Sequence, residues 1–248
     1  MLVVNNLMVF FENALALNDF SMEVKEGQFV GVIGSNSAGK TTLMNTLSGL
    51  IIDMRIKEKR RGGERITIYG KITFRGEDIT ETSPSDRVEK GIVLCRERHP
   101  VFRESSVLEN LKIAGYLRKG FEVGEMMDYV FNLFPPLVQL KSRKAGFLSG
   151  GEQQMLAIGM ALVARPILLL LDEPLLGLSP MMQEILVDAI KGLRSDSGIT
   201  VVLTEQFARP VLPIIDHGYI IENGMLTLTG TGPELMNNPE VKAAYFGV

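Results

Sequence analysis

Apolar positions follow two different periods along this chain. Leu2–Phe11 and Phe20–Val24 are rich in Val, Leu and Phe, and Glu26-Gly27 marks a turn, so the first thirty residues read as short strands. Gln28–Ile33 is a compact apolar strand that runs straight into Gly34-Ser35-Asn36-Ser37-Ala38-Gly39-Lys40-Thr41-Thr42. Leu43, Met44, Leu47 and Leu50 then recur at helical spacing. The order is strand, glycine loop, helix. From Asp53 to Arg65 the periodicity lapses. Six basic residues (Arg55, Lys57, Lys59, Arg60, Arg61, Arg65) and Gly62-Gly63 read as an exposed, solvated excursion before a strand at Lys71–Arg75.

Further on, 105–145 reads as helical. Val107, Leu108, Leu111 and Ala114 form one stripe; Met126, Met127, Val130, Phe131 and Phe134 form another, which Pro135-Pro136 ends. Met155–Ala164 continues as helix up to Pro166. Ile167–Leu171 and Ile199–Thr204 have the unbroken apolar character of buried parallel strands, with an amphipathic helix at Met181–Leu193 between them. Asn223-Gly224, flanked by Tyr219–Glu222 and Met225–Leu228, predicts a hairpin. Strands alternating with helices indicate an α/β fold with a mostly parallel sheet and antiparallel strands at the N-terminus.

Composition narrows the class. The chain has 248 residues, 46% apolar and 22% charged, enough to bury a full core without staples. With 26 basic against 29 acidic residues it is no general nucleic-acid binder. The N-terminus lacks a basic segment followed by an apolar one, so a secretory signal is not expected. The longest stretch without a polar side chain, Met155 to Ala164, is half the ~20 residues a membrane span needs. The single cysteine, Cys95, excludes an internal disulfide and reads as a small buried hydrophobe. His99 and His217, the only histidines, read as structural.

Three segments carry chemistry. Gly34-x-x-x-x-Gly39-Lys40-Thr41 has the form of a P-loop: glycines leave backbone N–H groups bare for phosphate oxygens, and the helix start adds its positive end. Lys40 supplies a charge near the β- and γ-phosphates, and the Thr41 hydroxyl can ligate Mg²⁺. A glycine turn with an incidental lysine is the plainer alternative. Leu168–Leu171 followed by Asp172-Glu173 has the form of a Walker B strand, in which Asp172 holds Mg²⁺ through water and Glu173 polarises an attacking water. Many buried strands end in acidic residues, so its weight comes from the pairing with a P-loop. Leu148-Ser149-Gly150-Gly151-Glu152-Gln153-Gln154 is a second glycine-rich helix start, with Ser149 and Glu152 at capping-box spacing. It is either a capped helix and no more, or a phosphate contact to a nucleotide held by another subunit.

At LSGGEQQ the sequence resembles the ATP-binding cassette (ABC) ATPases, over essentially its whole length. The resemblance implies a P-loop NTPase (RecA-like) core, an N-terminal antiparallel β subdomain and a helical subdomain inserted at about 98–163, all within one unit, 1–248. It implies ATP hydrolysis with ATP and Mg²⁺ bound. Gly34, Ser35, Asn36, Ser37, Ala38, Gly39, Lys40, Thr41 and Thr42 would cradle the phosphates. Phe11 falls where an adenine-stacking aromatic is expected, core packing being the alternative. Glu97 occupies the Q-loop position, where Gln is usual, and would touch Mg²⁺. Gln206 occupies the switch position, where His is usual. Ser179 replaces the usual D-loop Asp, and Ser37 a common P-loop Gly.

Glu97, Glu205-Gln206, Gly177-Leu178-Ser179-Pro180 and the C-terminal Gly230–Leu235 and Asn238–Gly247 segments look like the Liv-type ATPases of branched-chain amino acid uptake. That likeness implies a head-to-tail ATPase dimer, with two different subunits, in which Ser149, Gly150 and Gly151 complete the partner's site. It also implies transmembrane permease partners, an indirect link to a solute-binding protein, and a place on the cytoplasmic face of the membrane. The competing readings are a soluble ABC ATPase such as that of Fe–S cluster assembly, and an importer ATPase for another small polar solute.

Overall fold

A computed structural model describes residues 1–63, 66–97 and 100–246. Arg65, His99 and Gly247, named above, lie outside the described residues.

The N-terminal strands build one sheet. β1 (Leu2–Phe11) pairs antiparallel with β2 (Ala14–Val24) on one side and β4 (Ile66–Phe74) on the other, and β5 (Glu77–Asp78) extends it, in the order β2-β1-β4-β5. Leu2, Val4, Leu7 and Val9 face the core; the step of three between Val4 and Leu7 coincides with a shift of register, at Asn6 with φ +48°. The bulge restores the inward face after an extra residue.

The second sheet has the order β10-β9-β3-β8-β7-β6. β3 (Phe29–Ile33), β6 (Ile92–Cys95), β7 (Leu168–Asp172), β8 (Thr200–Glu205) and β9 (His217–Glu222) run parallel, and β10 (Met225–Thr231) returns antiparallel. Both faces are covered. Phe29, Ile33, Leu169 and Leu171 join one core, while Val30, Val32, Leu168 and Leu170 join the other. This explains why these strands lack polar alternation. The registers Ile33↔Glu205, Asp172↔Thr204 and Cys95↔Leu171 bring the carboxyl ends of β3, β8, β7 and β6 to one edge. Ligands bind at that edge in open α/β sheets.

Helix α1 (Lys40–Leu47) follows β3 across the glycine loop. Four helices, α4 (Val107–Ala114), α5 (Gly120–Leu133), α6 (Pro136–Gln139) and α7 (Gly150–Val163), lie between β6 and β7, and α8 (Pro180–Ser197) joins β7 to β8. α9 (Gly232–Asn237) and α10 (Pro239–Tyr245) close the chain, after an α3 (Pro84–Glu89) that precedes β6. Capping boxes start α4 (Ser106, Glu109), α7 (Ser149, Glu152) and α9 (Thr231, Glu234).

One expectation is corrected. The basic excursion is a helix, α2 (Leu50–Arg61), bounded by Gly49 (φ +82°) and Gly62 (φ +69°) in left-handed conformation. Ile51 and Ile52 anchor its first turn in the core, while Ile56, Lys57, Lys59, Arg60 and Arg61 are exposed. Three of its cations sit in the last turn, where they oppose the negative end of the helix dipole.

Arg87 on α3 is the largest fully buried side chain. Its guanidinium donates to the carbonyls of Thr46 and Leu47, which end α1, and to those of Thr80, Thr82 and Ile79. Burial pulls its pKa down to about 10, against the pull of Glu81. Arg87→Ala strips several buried carbonyls of their donor at once, so a stability loss of about 3–5 kcal/mol is expected in urea titration. A loss below about 1 kcal/mol would mean that water takes over the guanidinium's bonds.

Candidate active site

The glycine loop is the turn between β3 and α1, and its geometry explains its residues. Gly39 has φ +105°, and a Cβ there would lie 2.7 Å from the carbonyl oxygen of Ala16, so no other residue fits. Ser37 has φ +64°, a left-handed conformation that costs a non-glycine residue about 1 kcal/mol or more. This is why glycine is common at that position. Ser35, Asn36 and Ser37 are exposed, whereas Gly34, Ala38 and Lys40 are buried.

Lys40 is the electrostatic centre of the loop. Its Nζ donates to the carbonyls of Gly34 and Ser35, both at 2.8 Å, and pairs with Glu173 Oε1 at 2.9 Å. Both partners of the ion pair are below one tenth exposed. A cavity of 620 Å³ opens beside them, lined by Asn36, Ser37, Gly39, Lys40, Thr41 and Thr42 from the loop, and by Glu97 and Glu173 from the ends of β6 and β7. Segments remote in sequence thus share one cleft at the carboxyl edge of the sheet.

Asp172 lies deeper. Burial raises its pKa; hydrogen bonds from Thr204 and Thr41 oppose the shift, and the charges of Glu173 and Glu97 reinforce it. The oxygens of Thr41, Asp172 and Glu97 are the hard donors a divalent cation such as Mg²⁺ accepts. Among the described residues no three His, Cys, Asp or Glu side chains form a metal cage. A hydroxyl and two carboxylates fit Mg²⁺, which keeps water and phosphate oxygens in its shell. Cys95, beside Leu171 on the neighbouring strand, is buried; burial and then the Asp172 charge push its thiol up to about 12. A buried thiol held in that form is a poor nucleophile, in keeping with the small buried hydrophobe the sequence suggests.

Glu173 follows β7 with φ +47°. Its N–H donates to Thr204 Oγ1 at 3.0 Å, and its carbonyl accepts from Leu176 N–H. Glu205, at the end of β8, accepts from Leu175 N–H at 2.9 Å. Burial pushes Glu205 up to about 8, and the Glu173 charge adds to that shift.

Other expected site residues fall elsewhere. Phe11, at the tip of β1, does not line the main cleft; it walls a separate 240 Å³ cleft with Met54, Lys57, Glu58 and Arg61 of α2 and Ile66 of β4. Gln206 follows β8, half-buried, and also does not line the main cleft. Ser149, Gly150 and Gly151 form the start of α7 and do not line that cleft, with Ser149 and Gly150 exposed. Ser149 Oγ accepts from Glu152 N–H at 3.3 Å, and Ser149 N–H donates to Glu152 at 2.7 Å. Ser179 caps α8, with Pro180 at its first turn.

Three cleft residues carry no local signal, Leu15, Ala16 and Leu176, and a fourth, Asn223, reads only as a turn. Asn223-Gly224 does make the expected hairpin, at φ +49° and +78°. Only the fold shows that this turn abuts the glycine loop, where Gly224 N–H donates to the Ala38 carbonyl.

The family model described as ABC transporter matches residues 17–176. Over 247 residues, covering all of both chains, the sequence is 39% identical to the high-affinity branched-chain amino acid transport ATP-binding protein BraG of Pseudomonas aeruginosa. BraF of the same bacterium, which bears the same description, is 32% identical, with 99% of this chain and 97% of BraF covered. The crystal structure of the ADP conformation of MJ1267, an ATP-binding cassette of an ABC transporter, superposes with a TM-score of 0.82 at 27% identity, covering 100% of this chain and 99% of that one.

Proposed function

This chain belongs to the ABC transporter family, and we infer from that premise that it is the ATP-binding and ATP-hydrolysing subunit of an importer of branched-chain amino acids. The observation that carries the reading is the full-length likeness to BraG, together with a cleft in which Lys40 and Glu173 meet at 2.9 Å. The unit spans 1–248, with a helical subdomain at about 98–163; the run of helices between β6 and β7 supports that division.

In this mechanism Lys40 and the amides of Gly34–Thr42 hold the ATP phosphates at the start of α1. Thr41, Asp172 and Glu97 would hold Mg²⁺, which when bound would neutralise phosphate charge. Glu173 accepts the proton of the attacking water, and ADP and phosphate leave. Gln206, half-buried beyond the end of β8, would have to turn toward the cleft to hydrogen-bond the terminal phosphate. Phe11 offers its ring to the adenine from the tip of β1.

The working assembly is a head-to-tail dimer in which Ser149, Gly150 and Gly151 complete the partner's site. The exposed, capped start of α7, which does not line the chain's own cleft, supports this arrangement. The second subunit is a different ATPase, in keeping with the two BCAA transport ATP-binding proteins of one bacterium. Permease subunits carry the solute, a solute-binding protein delivers it, and the ATPases sit peripherally on the cytoplasmic face. Among the described residues no helix is long and apolar enough to cross a membrane. No nucleic acid takes part.

The test is reconstitution with the permease and partner ATPase in liposomes. Leucine or isoleucine uptake should require ATP, and the solute should stimulate ATP turnover. Turnover that ignores these solutes, or a chain that never joins a permease, would overturn the assignment. The asymmetry has its own test. Gln206 cannot carry the charge of an imidazole, so the site on this chain's own loop is the slower one. Ser149→Arg, which crowds the partner's phosphate, should lower the complex's turnover more than Gln206→Ala. The reverse order would remove the asymmetric reading.

A further inference from the structure

Glu173 holds the left-handed region at φ +47°, which costs a non-glycine residue about 1 kcal/mol or more, and it does so in a buried setting. The bonds that dictate it come from two consecutive residues of the neighbouring strand. Thr204 Oγ1 accepts from Glu173 N–H at 3.0 Å and donates to Asp172 Oδ1 at 2.8 Å, so one hydroxyl ties both acidic residues. Glu205 Oε1 accepts from Leu175 N–H at 2.9 Å, two residues beyond the strained one. Successive side chains of a strand leave on opposite faces, so the pair grips the turn from both sides of the sheet. All three bonds are buried.

We propose that Thr204 and Glu205 are positioning residues for hydrolysis, holding the Glu173 backbone in its strained conformation and so aiming its carboxylate. This rests on the ATPase reading of the site above. Neither residue lines the main cleft, so neither need touch ATP. Their effect passes through Glu173, and through Asp172 for Thr204. A hydroxyl is needed at 204 because it must accept from one group and donate to another, which valine, of the same shape, cannot do. At 205 the need is for an acceptor, which glutamine also provides.

The experiment uses the full-length chain in its transporter complex at saturating Mg²⁺, with ATP affinity, turnover and melting temperature read in parallel. Thr204→Val and Glu205→Met should lower kcat by about 10–100-fold, the scale of small misplacements of a reacting group. ATP affinity should stay within about 3-fold, because the phosphate-binding loop is untouched. Thr204→Ser and Glu205→Gln should restore most of kcat. Wild-type kcat in the folded Val and Met variants would overturn the proposal. So would a parallel collapse of kcat, affinity and melting temperature that Ser and Gln fail to rescue, since that is the mark of a general structural role. Glu173→Gln serves as the reference: if it leaves turnover intact, the site reading itself falls. If it stops turnover while Thr204→Val and Glu205→Met do not, only the positioning role falls.

Discussion

Glu173→Gln should leave a protein that binds ATP and does not turn it over. The amide keeps the shape of the side chain and can still hydrogen-bond, but it cannot take a proton from water at neutral pH. Loss of a general base costs about 10²–10⁴ in rate. The ion pair with Lys40 sharpens the expectation for binding. An arriving phosphate must compete with the Glu173 carboxylate for the lysine, which that carboxylate contacts at 2.9 Å. Glutamine is a weaker competitor, so ATP affinity should hold or rise while turnover disappears. Equilibrium binding of a fluorescent ATP analogue, set beside phosphate release, measures both. Turnover near wild type would take Glu173 out of the mechanism; loss of binding would recast it as part of the phosphate site.

Lys40→Ala should produce the opposite profile, with the chain folded and nucleotide binding gone. The lysine is 3% exposed and already dry, so little further desolvation is required when it meets phosphate. A charge-assisted bond contributes about 1.5–3 kcal/mol, and an ammonium can reach more than one phosphate oxygen, so a drop of at least about 100-fold in affinity is expected. The variant also leaves the Glu173 carboxylate without its cation, and that uncompensated charge should repel phosphate further. Calorimetric titration with ATP decides the matter, and unchanged affinity would count against the loop as the phosphate site.

What the sequence reveals of this protein depends on how local the determinant is. The glycine loop, the aliphatic run ending in Asp172-Glu173, the capped start of α7 and the Asn223-Gly224 turn are each written in fewer than ten consecutive residues, and each is found where expected. Helix α2 escapes because its start and stop are both glycines and its apolar side is little more than Ile51, Ile52 and Met54, under a run of cations. β6 is four residues long and α3 six, too short for any period to show. The distant walls of the cleft are invisible for another reason. Leu15 and Ala16 reach it through strand pairing and Asn223 through its turn's contact with the glycine loop, and nothing in their own neighbourhoods records that placement. Phe11 shows the limit of an aromatic at a promising position: the structure places it against α2, in a cleft apart from the one the glycine loop lines.

The central position of β3 has a consequence for the ribosome. β3 lies between β8 and β9, and Ile33 pairs with Glu205 and with Ile220. When the glycine loop emerges, neither neighbour of the strand that leads into it has yet been made. At ~5–20 residues per second, the ~170 residues separating Ile33 from its first partner take roughly 10–35 s to synthesise. Throughout that interval the chain exposes a strand buried on both faces in the finished sheet, and it has no β8 against which to set the ends of β3 and β7. Nucleotide cannot act as an early folding template. The site comes into being only once β8 has been made, and a nascent chain stalled before Thr200 should fail to bind ATP, however intact its glycine loop.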